Sequence, residues 1–433
     1  MLSKILNRET NKIKKSAYIW NFMSSIAKAI QLTIFLALIS RATTQSDAGI
    51  MSLAFSVAYL MRTIGDYAMR NFQVTDTRGK FGFPEYFTSR IITLLLMIVC
   101  SVLYIYAKDY NFDKAITILL ICFYMGVDAI EDVFHGEFQQ LDRLDIAAFT
   151  EFIRYVCGML VFGIALFISR KLWLSTLVLT CFSIVLFVIL NFPFIREFVQ
   201  VKMSADKAKV GRLLWECFPL FIGVFLSAFI NNAPKDAIDR VLNDELQGYF
   251  GMIFMPAFVV NLFSAVVYRP ITVELARECE LKRQQYVKNI KKQYLIIAGI
   301  MLVCVIGAFA VGIPVLSLLY QVPLAEYKLC LIILMIGGGV SAAISFSGVL
   351  LTIQRKQKTM YYAYGIAMFL SILFSIYFVR RWNILGASIL YVILNIVILL
   401  IMFITISIDN FRKMSVIKSY INEKGDEYCE EIH

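Results

Sequence analysis

Residues 220–230 read LFIGVFLSAFI, residues 231–240 read NNAPKDAIDR, and residues 248–268 read GYFGMIFMPAFVVNLFSAVVY. The first and third segments are as apolar as the interior of a bilayer, whereas the segment between them holds two Asn, a Pro, two Asp, a Lys and an Arg. A membrane-spanning helix needs roughly 20 mostly apolar residues. The stretch therefore predicts two spans joined by a strongly polar connection.

The composition of the whole chain agrees with a membrane protein. Of its 433 residues, 59% are hydrophobic and 17% are charged, whereas soluble domains carry about 25% charged residues. The apolar residues form long continuous blocks, which favour helices over strands that alternate apolar and polar residues. We therefore expect an all-α polytopic membrane protein.

The apolar blocks predict about twelve transmembrane helices. The first block is too long for the apolar region of a signal peptide and lacks a cleavage site, so it is interpreted as a retained span. Six blocks fall in a predicted N-terminal lobe (1–200), six in a C-terminal lobe (201–410), and a tail follows (411–433). The predicted spans lie near residues 16–39, 48–70, 86–107, 115–135, 147–168, 172–195, 213–233, 247–268, 294–319, 326–351, 360–379 and 385–408.

The formal net charge of +11 reflects topology. Most Lys and Arg residues fall in the N-terminal arm and in the connections on its side of the membrane, which is the bias expected of cytoplasmic segments. Both termini are therefore predicted to be cytoplasmic, and a nucleic-acid partner has no support. With only two His, no CxxC and no phosphate-binding loop, the sequence predicts no catalytic triad, metal centre or other cofactor.

An internal repeat relates the two halves. Arg41 and Arg240 are 199 residues apart, and the same offset places Gly49 on Gly248 and Arg70 on Arg269, each Arg at the same end of its span. The offset covers six spans, so both halves have the same orientation. The sequence predicts two parallel-repeat six-helix bundles facing each other across a cleft, where transporters of this kind bind cargo.

Polar side chains form a stripe on each of the first two predicted spans. A charge at the bilayer centre costs at least about 2.5–3.5 kcal/mol and is a functional hypothesis by default. Lys28 and Arg62 with Asp66 leave net positive charge, so both cations are candidate substrate-binding residues. The alternative is a structural ion pair, Lys28–Asp66 or Arg62–Asp66. The stripes comprise Asn21, Ser24, Ser25, Lys28 and Gln31, then Ser52, Ser56, Tyr59, Arg62, Thr63, Asp66 and Arg70.

The seventh and eighth spans carry the equivalent polar positions. Pro234 is predicted to break or kink the seventh helix, and the freed carbonyl groups would then line a watery cavity. The alternative is an ordinary extracytoplasmic loop after a helix stop. The candidate substrate-binding residues of this half are Asn231, Lys235, Arg240, Asn261 and Arg269.

The fourth span places four ionisable residues on one side of a helix: Asp128, Glu131, Asp132 and His135. Carboxylates within a span can carry a coupling ion, so Asp66, Asp128 and Asp132 are candidate ion-coupling residues for Na+ or H+. The alternative is a solvated group at the cytoplasmic helix end, paired with Arg143 or Arg154.

The predicted cleft is rich in Lys and Arg, which bind phosphate oxygens, and in Asn and Ser, which suit sugar hydroxyl groups. Residues 219–270, PLFIGVFLSAFINNAPKDAIDRVLNDELQGYFGMIFMPAFVVNLFSAVVYRP, resemble the corresponding stretch of Wzx-type polysaccharide flippases of the multidrug/oligosaccharidyl-lipid/polysaccharide exporter superfamily. The resemblance implies a V-shaped MATE-like fold in the bacterial cytoplasmic membrane. It also implies transport of an undecaprenyl-diphosphate-linked oligosaccharide, whose diphosphate meets the basic residues of the cavity.

The expected partners are therefore the lipid-linked oligosaccharide, membrane lipids and proteins of polysaccharide assembly. Two other functions remain open. A drug/cation antiporter of the same fold would need a net-negative cavity. A membrane-embedded polymerase or ligase would need a folded loop to hold its sugars, and no connection is long enough to build one, so a non-enzymatic function is favoured.

Overall fold

The computed structural model describes residues 10–76, 79–268, 270–281 and 283–430, and within these ranges it contains no strand. The chain is thus all-α, as predicted. The α-helices, numbered in chain order, are α1 Thr10–Ala42, α2 Gln45–Asp66, α3 Met69–Thr75, α4 Phe83–Lys108, α5 Phe112–Gln140, α6 Leu144–Ser169, α7 Leu172–Ile195, α8 Lys207–Val241, α9 Asp244–Tyr268, α10 Thr272–Leu281, α11 Arg283–Gly307, α12 Ile313–Tyr320, α13 Lys328–Ile353 and α14 Lys358–Glu430.

Ten helical stretches in the described residues are long and apolar enough to cross a membrane. The chain is therefore a multi-pass membrane protein. Helix α5 is not among the ten, and α14 counts once although its backbone leaves helical geometry at Trp382 and Asn383. The count of twelve spans therefore stays a prediction.

Residues in the short connections cap the ends of the neighbouring helices. Thr44 caps α2 through a reciprocal pair of bonds, in which the Asp47 amide donates to Thr44 Oγ1 (3.2 Å) and the Thr44 amide donates to Asp47 Oδ2 (3.4 Å). Such a capping box satisfies two amide groups that the first helical turn leaves free. Tyr67 ends α2 and Arg170 ends α6 in the left-handed conformation, which closes a helix sharply.

The helices pack into two compact units. Unit 1 runs to Met252 and includes Leu316–Val322, and unit 2 comprises Ile253–Val315 and the chain from Pro323 onward. These units are defined by packing, and the predicted division into repeat lobes at residue 200 stays a prediction. Unit 1 has an aromatic core around Phe134, whose ring lies 5.3 Å from Phe187 and 5.7 Å from Phe83.

Helix α8 belongs to unit 1 and packs against α2 and α4. The predicted break at Pro234 is wrong, because α8 stays helical through this residue to Val241. The polar segment is therefore the last turns of a helix rather than a loop. Two side-chain amides support these turns, since Asn231 and Asn232 each donate to the carbonyl group four residues earlier, at 2.9 and 3.0 Å.

Residues matched by the internal repeat meet within unit 1. A Cβ atom on Gly248 would lie 3.0 Å from the Gly49 nitrogen, and one on Gly251 would lie 2.2 Å from Ser52 Oγ. Both pairs have the offset of 199 residues. The glycines allow this approach because they have no side chain.

A polar cluster around Arg283 links three segments of unit 2. Arg283 at the start of α11 donates from Nη2 to Asp409 Oδ2 (2.9 Å) and Asn410 Oδ1 (2.7 Å), and Lys356 pairs with Asp409 at 2.8 Å. The cluster thus joins α11 and α14 to the segment that follows α13.

Candidate functional site

An ionic network occupies the middle of unit 1 and begins at Arg62 on α2. Its guanidinium contacts Asp66 Oδ2 through Nε (3.0 Å) and Asp128 Oδ2 through Nη1 (2.7 Å). The Arg62 side chain is 12% exposed. Arg62 therefore joins α2 to α5 and is largely removed from solvent.

Arg154 on α6 extends the network on the same side of α5. Its guanidinium contacts Asp128 and donates from Nε to Glu131 Oε2 at 2.8 Å. Tyr155 donates its hydroxyl to Asp128 Oδ2 at 3.0 Å, and Asn191 of α7 donates to Glu131 Oε1 at 2.9 Å. Asp128 and Glu131 thus accept bonds at both carboxylate oxygens, as buried charges require.

Two further arginines hold Asp132. Arg70 contacts Asp132 Oδ1 (2.9 Å), and Arg90 of α4, which is fully buried, contacts Oδ2 (3.0 Å). Arg90 also lies 3.5 Å from Asp66 Oδ1, and among the described residues that oxygen accepts no hydrogen bond. Asp66 is therefore less completely satisfied than Asp128 or Asp132.

Lys28 of α1 lies at the accessible edge of the network. Its ammonium group is 3.4 Å from Glu151 Oε1 on α6, and Ser24 donates to Glu151 Oε2 at 3.0 Å. The Lys28 side chain is 42% exposed, whereas that of Glu151 is 21% exposed. The polar stripe of α1 thus faces α6, and Gln31 continues it with a bond to Tyr124.

The charge of the site includes acids outside the two stripes. Counted over the residues that the structure describes, the network joins five cations to five carboxylates, so it is balanced as a whole. The excess of positive charge in the two stripes is offset by carboxylates of α5 and α6. The members are Lys28, Arg62, Arg70, Arg90 and Arg154 with Asp66, Asp128, Glu131, Asp132 and Glu151.

The charges of the 231–240 segment form a separate cluster. Asp236 accepts from Lys108 at 2.6 Å, and Asp239, which is nearly inaccessible, pairs with Lys114 at 2.7 Å. Arg240 pairs with Asp236 at 2.8 Å. These bonds join the end of α8 to the α4–α5 connection. The polar segment therefore fixes one end of α8 to unit 1, and its charged residues are partners for other helices.

The structure brings together some of the predicted site residues and not others. Lys28, Arg62, Asp66, Asp128 and Asp132 share the network. Of the other candidates, Asn231 bonds within α8, Lys235 is buried on α8, and Arg240 belongs to the cluster at the end of α8. Asn261 lies on α9 in unit 2, and Arg269 falls outside the described residues.

Arg90 and Glu151 were not among the predicted site residues, and Arg154 was predicted only as a possible partner for carboxylates. All three are charged residues within apolar blocks, which is the signal that could have found them. The alternative interpretation of the α5 carboxylates named Arg143 or Arg154 as their partner, and Arg154 is a partner of Asp128 and Glu131. It was wrong about solvation, because Asp128 and Glu131 are buried.

The chain is an all-α multi-pass membrane protein, and it shares its fold with solved structures from the multidrug/oligosaccharidyl-lipid/polysaccharide exporter (MOP) superfamily. An inward-facing multidrug resistance MATE transporter of that superfamily superposes with a TM-score of 0.69 at 12% identity, over 89% of this chain and 95% of its own. The lipid II flippase MurJ in an inward closed conformation gives 0.71 at 14%, over 91% and 90%. At such identities the likeness establishes the fold.

One curated relative matches most of the sequence. It is the capsular polysaccharide biosynthesis protein CapF of Staphylococcus aureus, 22% identical over 384 residues, which are 88% of this chain and 96% of the relative. No protein-family model matches the chain. The resemblance inferred from residues 219–270 is supported by CapF and by the superfamily fold. The two solved structures are those of a transporter and a flippase.

Proposed function

We propose that this chain is a flippase that moves an undecaprenyl-diphosphate-linked oligosaccharide, the repeat unit of a surface polysaccharide, across the bacterial cytoplasmic membrane by alternating access. CapF supports the polysaccharide pathway and MurJ supports a lipid-linked cargo on this fold. Both termini are cytoplasmic in this proposal. The expected partners are the lipid-linked oligosaccharide, membrane lipids and polysaccharide-assembly proteins.

One observation carries the choice of an anionic cargo. Although the network is balanced overall, its most accessible members are cations: Lys28 is 42% and Arg70 34% exposed, against 30% for Asp66 and 21% for Glu151. A ligand that reaches the network from water meets the Lys28 ammonium group before it meets a carboxylate. A phosphate is the complementary group.

Lys28 is also the cation of the network that should change partners at the lowest cost in free energy. Its distance of 3.4 Å from Glu151 is long for a charge-assisted bond, and it keeps much of its contact with water. Arg62 and Arg154 have two carboxylate partners each and little or no exposure. A diphosphate would therefore displace Glu151 from Lys28 and leave the inner arginines in place to hold the helices together.

Ion coupling is part of the proposal, with Na+ or H+ as the ion. Among the three predicted coupling residues, Asp66 suits this role best, because its side chain is the most exposed of the three and Arg90, 3.5 Å from its Oδ1 atom, forms no hydrogen bond with it. Asp128 and Asp132 are held by arginines at both oxygens. A cation that binds Asp66 would compete with Arg62 and so reach the network that Lys28 and the cargo also contact.

Transport of lipid-linked oligosaccharide into proteoliposomes tests the proposal. Lys28→Gln should reduce the flipping rate at least tenfold, while Lys28→Arg should retain most of it. Lys358→Gln removes an exposed lysine elsewhere and serves as the charge-matched control. Wild-type flipping by folded Lys28→Gln protein would refute the role of the ammonium group.

A cation antiporter is the second candidate, because the fold is shared with a multidrug resistance transporter and the network has no net positive charge that would repel a cationic drug. The same proteoliposomes distinguish the two functions. Uptake of a cationic dye driven by a Na+ or pH gradient, with no flipping of the lipid-linked sugar, would select the antiporter.

A further inference from the structure

An apolar groove runs along the seam between α1 and α6 on the outside of unit 1. It has a volume of about 660 Å3 and is lined by apolar residues, among them Leu38 of α1 and Leu160, Gly163, Ile164 and Ile168 of α6. Its α6 lining runs from residue 156 to residue 168, roughly 18 Å at 1.5 Å per residue. That length matches one leaflet of a bilayer whose hydrocarbon core is about 30 Å thick.

A polar pocket of about 280 Å3 is lined by the residues that follow α6, close to the end of the groove. It is lined by Arg170, Lys171, Asp47, Asp113, Thr117 and Trp173, with two apolar side chains. Arg170 follows the last groove residue by two positions, and its guanidinium donates to the Ala42 carbonyl at 2.6 Å, at the end of the helix that forms the opposite groove wall. The groove and the pocket therefore lie next to each other, on α6 and on the residues that directly follow it.

The pocket contains both signs of charge. Two cations follow α6, and two carboxylates lie in the first turns of α2 and α5. The Lys171 ammonium group makes no ion pair within the described ranges, and its side chain is exposed. A singly charged headgroup would leave one pair of these charges without a partner, whereas a zwitterionic headgroup would match both.

We propose that the groove and pocket form a phospholipid site whose occupant carries a phosphate and a primary ammonium group, as phosphatidylethanolamine does. One acyl chain lies in the α1–α6 groove, the phosphate contacts Arg170 and Lys171, and the ammonium group contacts Asp113 and Asp47. The site lies in the leaflet at the α1–α2 end of unit 1. It is separate from the ionic network and independent of the transported cargo.

The acyl chain supplies the affinity, because it fills a groove of fixed shape and makes van der Waals contacts there that it does not make among the disordered lipid chains around the protein. The headgroup supplies the selectivity, since basic side chains near a membrane surface attract lipid phosphate. A methylated ammonium group cannot donate hydrogen bonds to a carboxylate, so phosphatidylcholine should bind more weakly than phosphatidylethanolamine.

Native mass spectrometry of the purified full chain in detergent tests this site by titration with phosphatidylethanolamine, phosphatidylglycerol, phosphatidylcholine and a polyprenyl phosphate. We expect one tightly bound phosphatidylethanolamine. Lys171→Gln should weaken it about fivefold, since one basic residue near the surface is worth about 1 kcal/mol. Asp113→Asn should remove the preference for phosphatidylethanolamine over phosphatidylglycerol, and Leu160→Trp should weaken all lipids by filling the groove.

Arg381→Gln is the matched control, because it removes an exposed basic residue from unit 2 and should leave binding unchanged. Leu160 is 61% exposed, so its replacement does not disturb the protein core. Unaltered binding in Lys171→Gln, an unaltered lipid preference in Asp113→Asn, or displacement of phosphatidylethanolamine by the polyprenyl phosphate at equal concentration would each overturn the proposal.

Discussion

Replacement of Arg154 by Met should cause a large loss of stability. The guanidinium is fully buried, contacts Asp128 and Glu131, and lies 4.8 Å from the centre of the Tyr155 ring. Met fills similar space but leaves two carboxylates with fewer partners. Removing one member of a buried ionic group costs about 3–5 kcal/mol, and we expect a decrease of this size in the free energy of unfolding.

The measurement is equilibrium unfolding of the purified protein in detergent micelles. Lys80→Met is the matched control, because Lys80 pairs with Glu216 at 2.6 Å on the surface, with side-chain exposures of 50% and 29%. An exposed pair contributes about 0–1 kcal/mol. The triple variant Arg154→Met, Asp128→Asn, Glu131→Gln should recover part of the loss, because it removes the unpaired charges. A loss in Arg154→Met no greater than in Lys80→Met would refute the role assigned to the network.

Three further perturbations test other parts of the structure. Burial raises the pKa of the Asp76 carboxyl, but hydrogen bonds from the amides of Phe81 and Lys80 outweigh this effect and lower the pKa below its usual value. The carboxylate therefore stabilises the fold above about pH 4, and this stabilisation is lost as the pH falls through the lowered pKa. Asp76→Asn should remove this pH dependence from the measured free energy of unfolding. Gly49→Ala should destabilise the protein by at least about 1–3 kcal/mol, since a Cβ atom there would lie 1.6 Å from the Asp244 carbonyl oxygen. Gly299→Ala is the control: it has open space around it in α11 and should stabilise the protein by about 0.5–1 kcal/mol. Equal shifts of the melting temperature in the two variants would contradict the α2–α9 contact. Asp239→Asn should cost about 1.5–3 kcal/mol by weakening the bond to Lys114, and an unchanged unfolding midpoint would show that the α8 cluster is not needed.

The sequence by itself determined the helical membrane fold, because bilayer thickness and the need to satisfy backbone groups leave few structures for blocks of some 20 apolar residues. The offset of 199 residues, which separates Gly49 from Gly248, predicted an internal repeat, and that repeat stays a prediction. The sequence also identified Lys28, Arg62 and the α5 acids as candidate functional residues, because a charge at membrane depth has a high cost in free energy.

Only the tertiary structure decided which charges neutralise one another. Glu151 is 123 residues from Lys28 and Arg154 is 26 residues from Asp128, and no helical period connects such positions. The tertiary structure also decided that α8 stays helical at Pro234, a residue that lacks a backbone donor. Packing against α2 and α4 and the ion pairs of Asp236 and Asp239 hold this part of the helix in place. Local patterns specify where a charge lies along a helix, and packing between helices specifies what it meets.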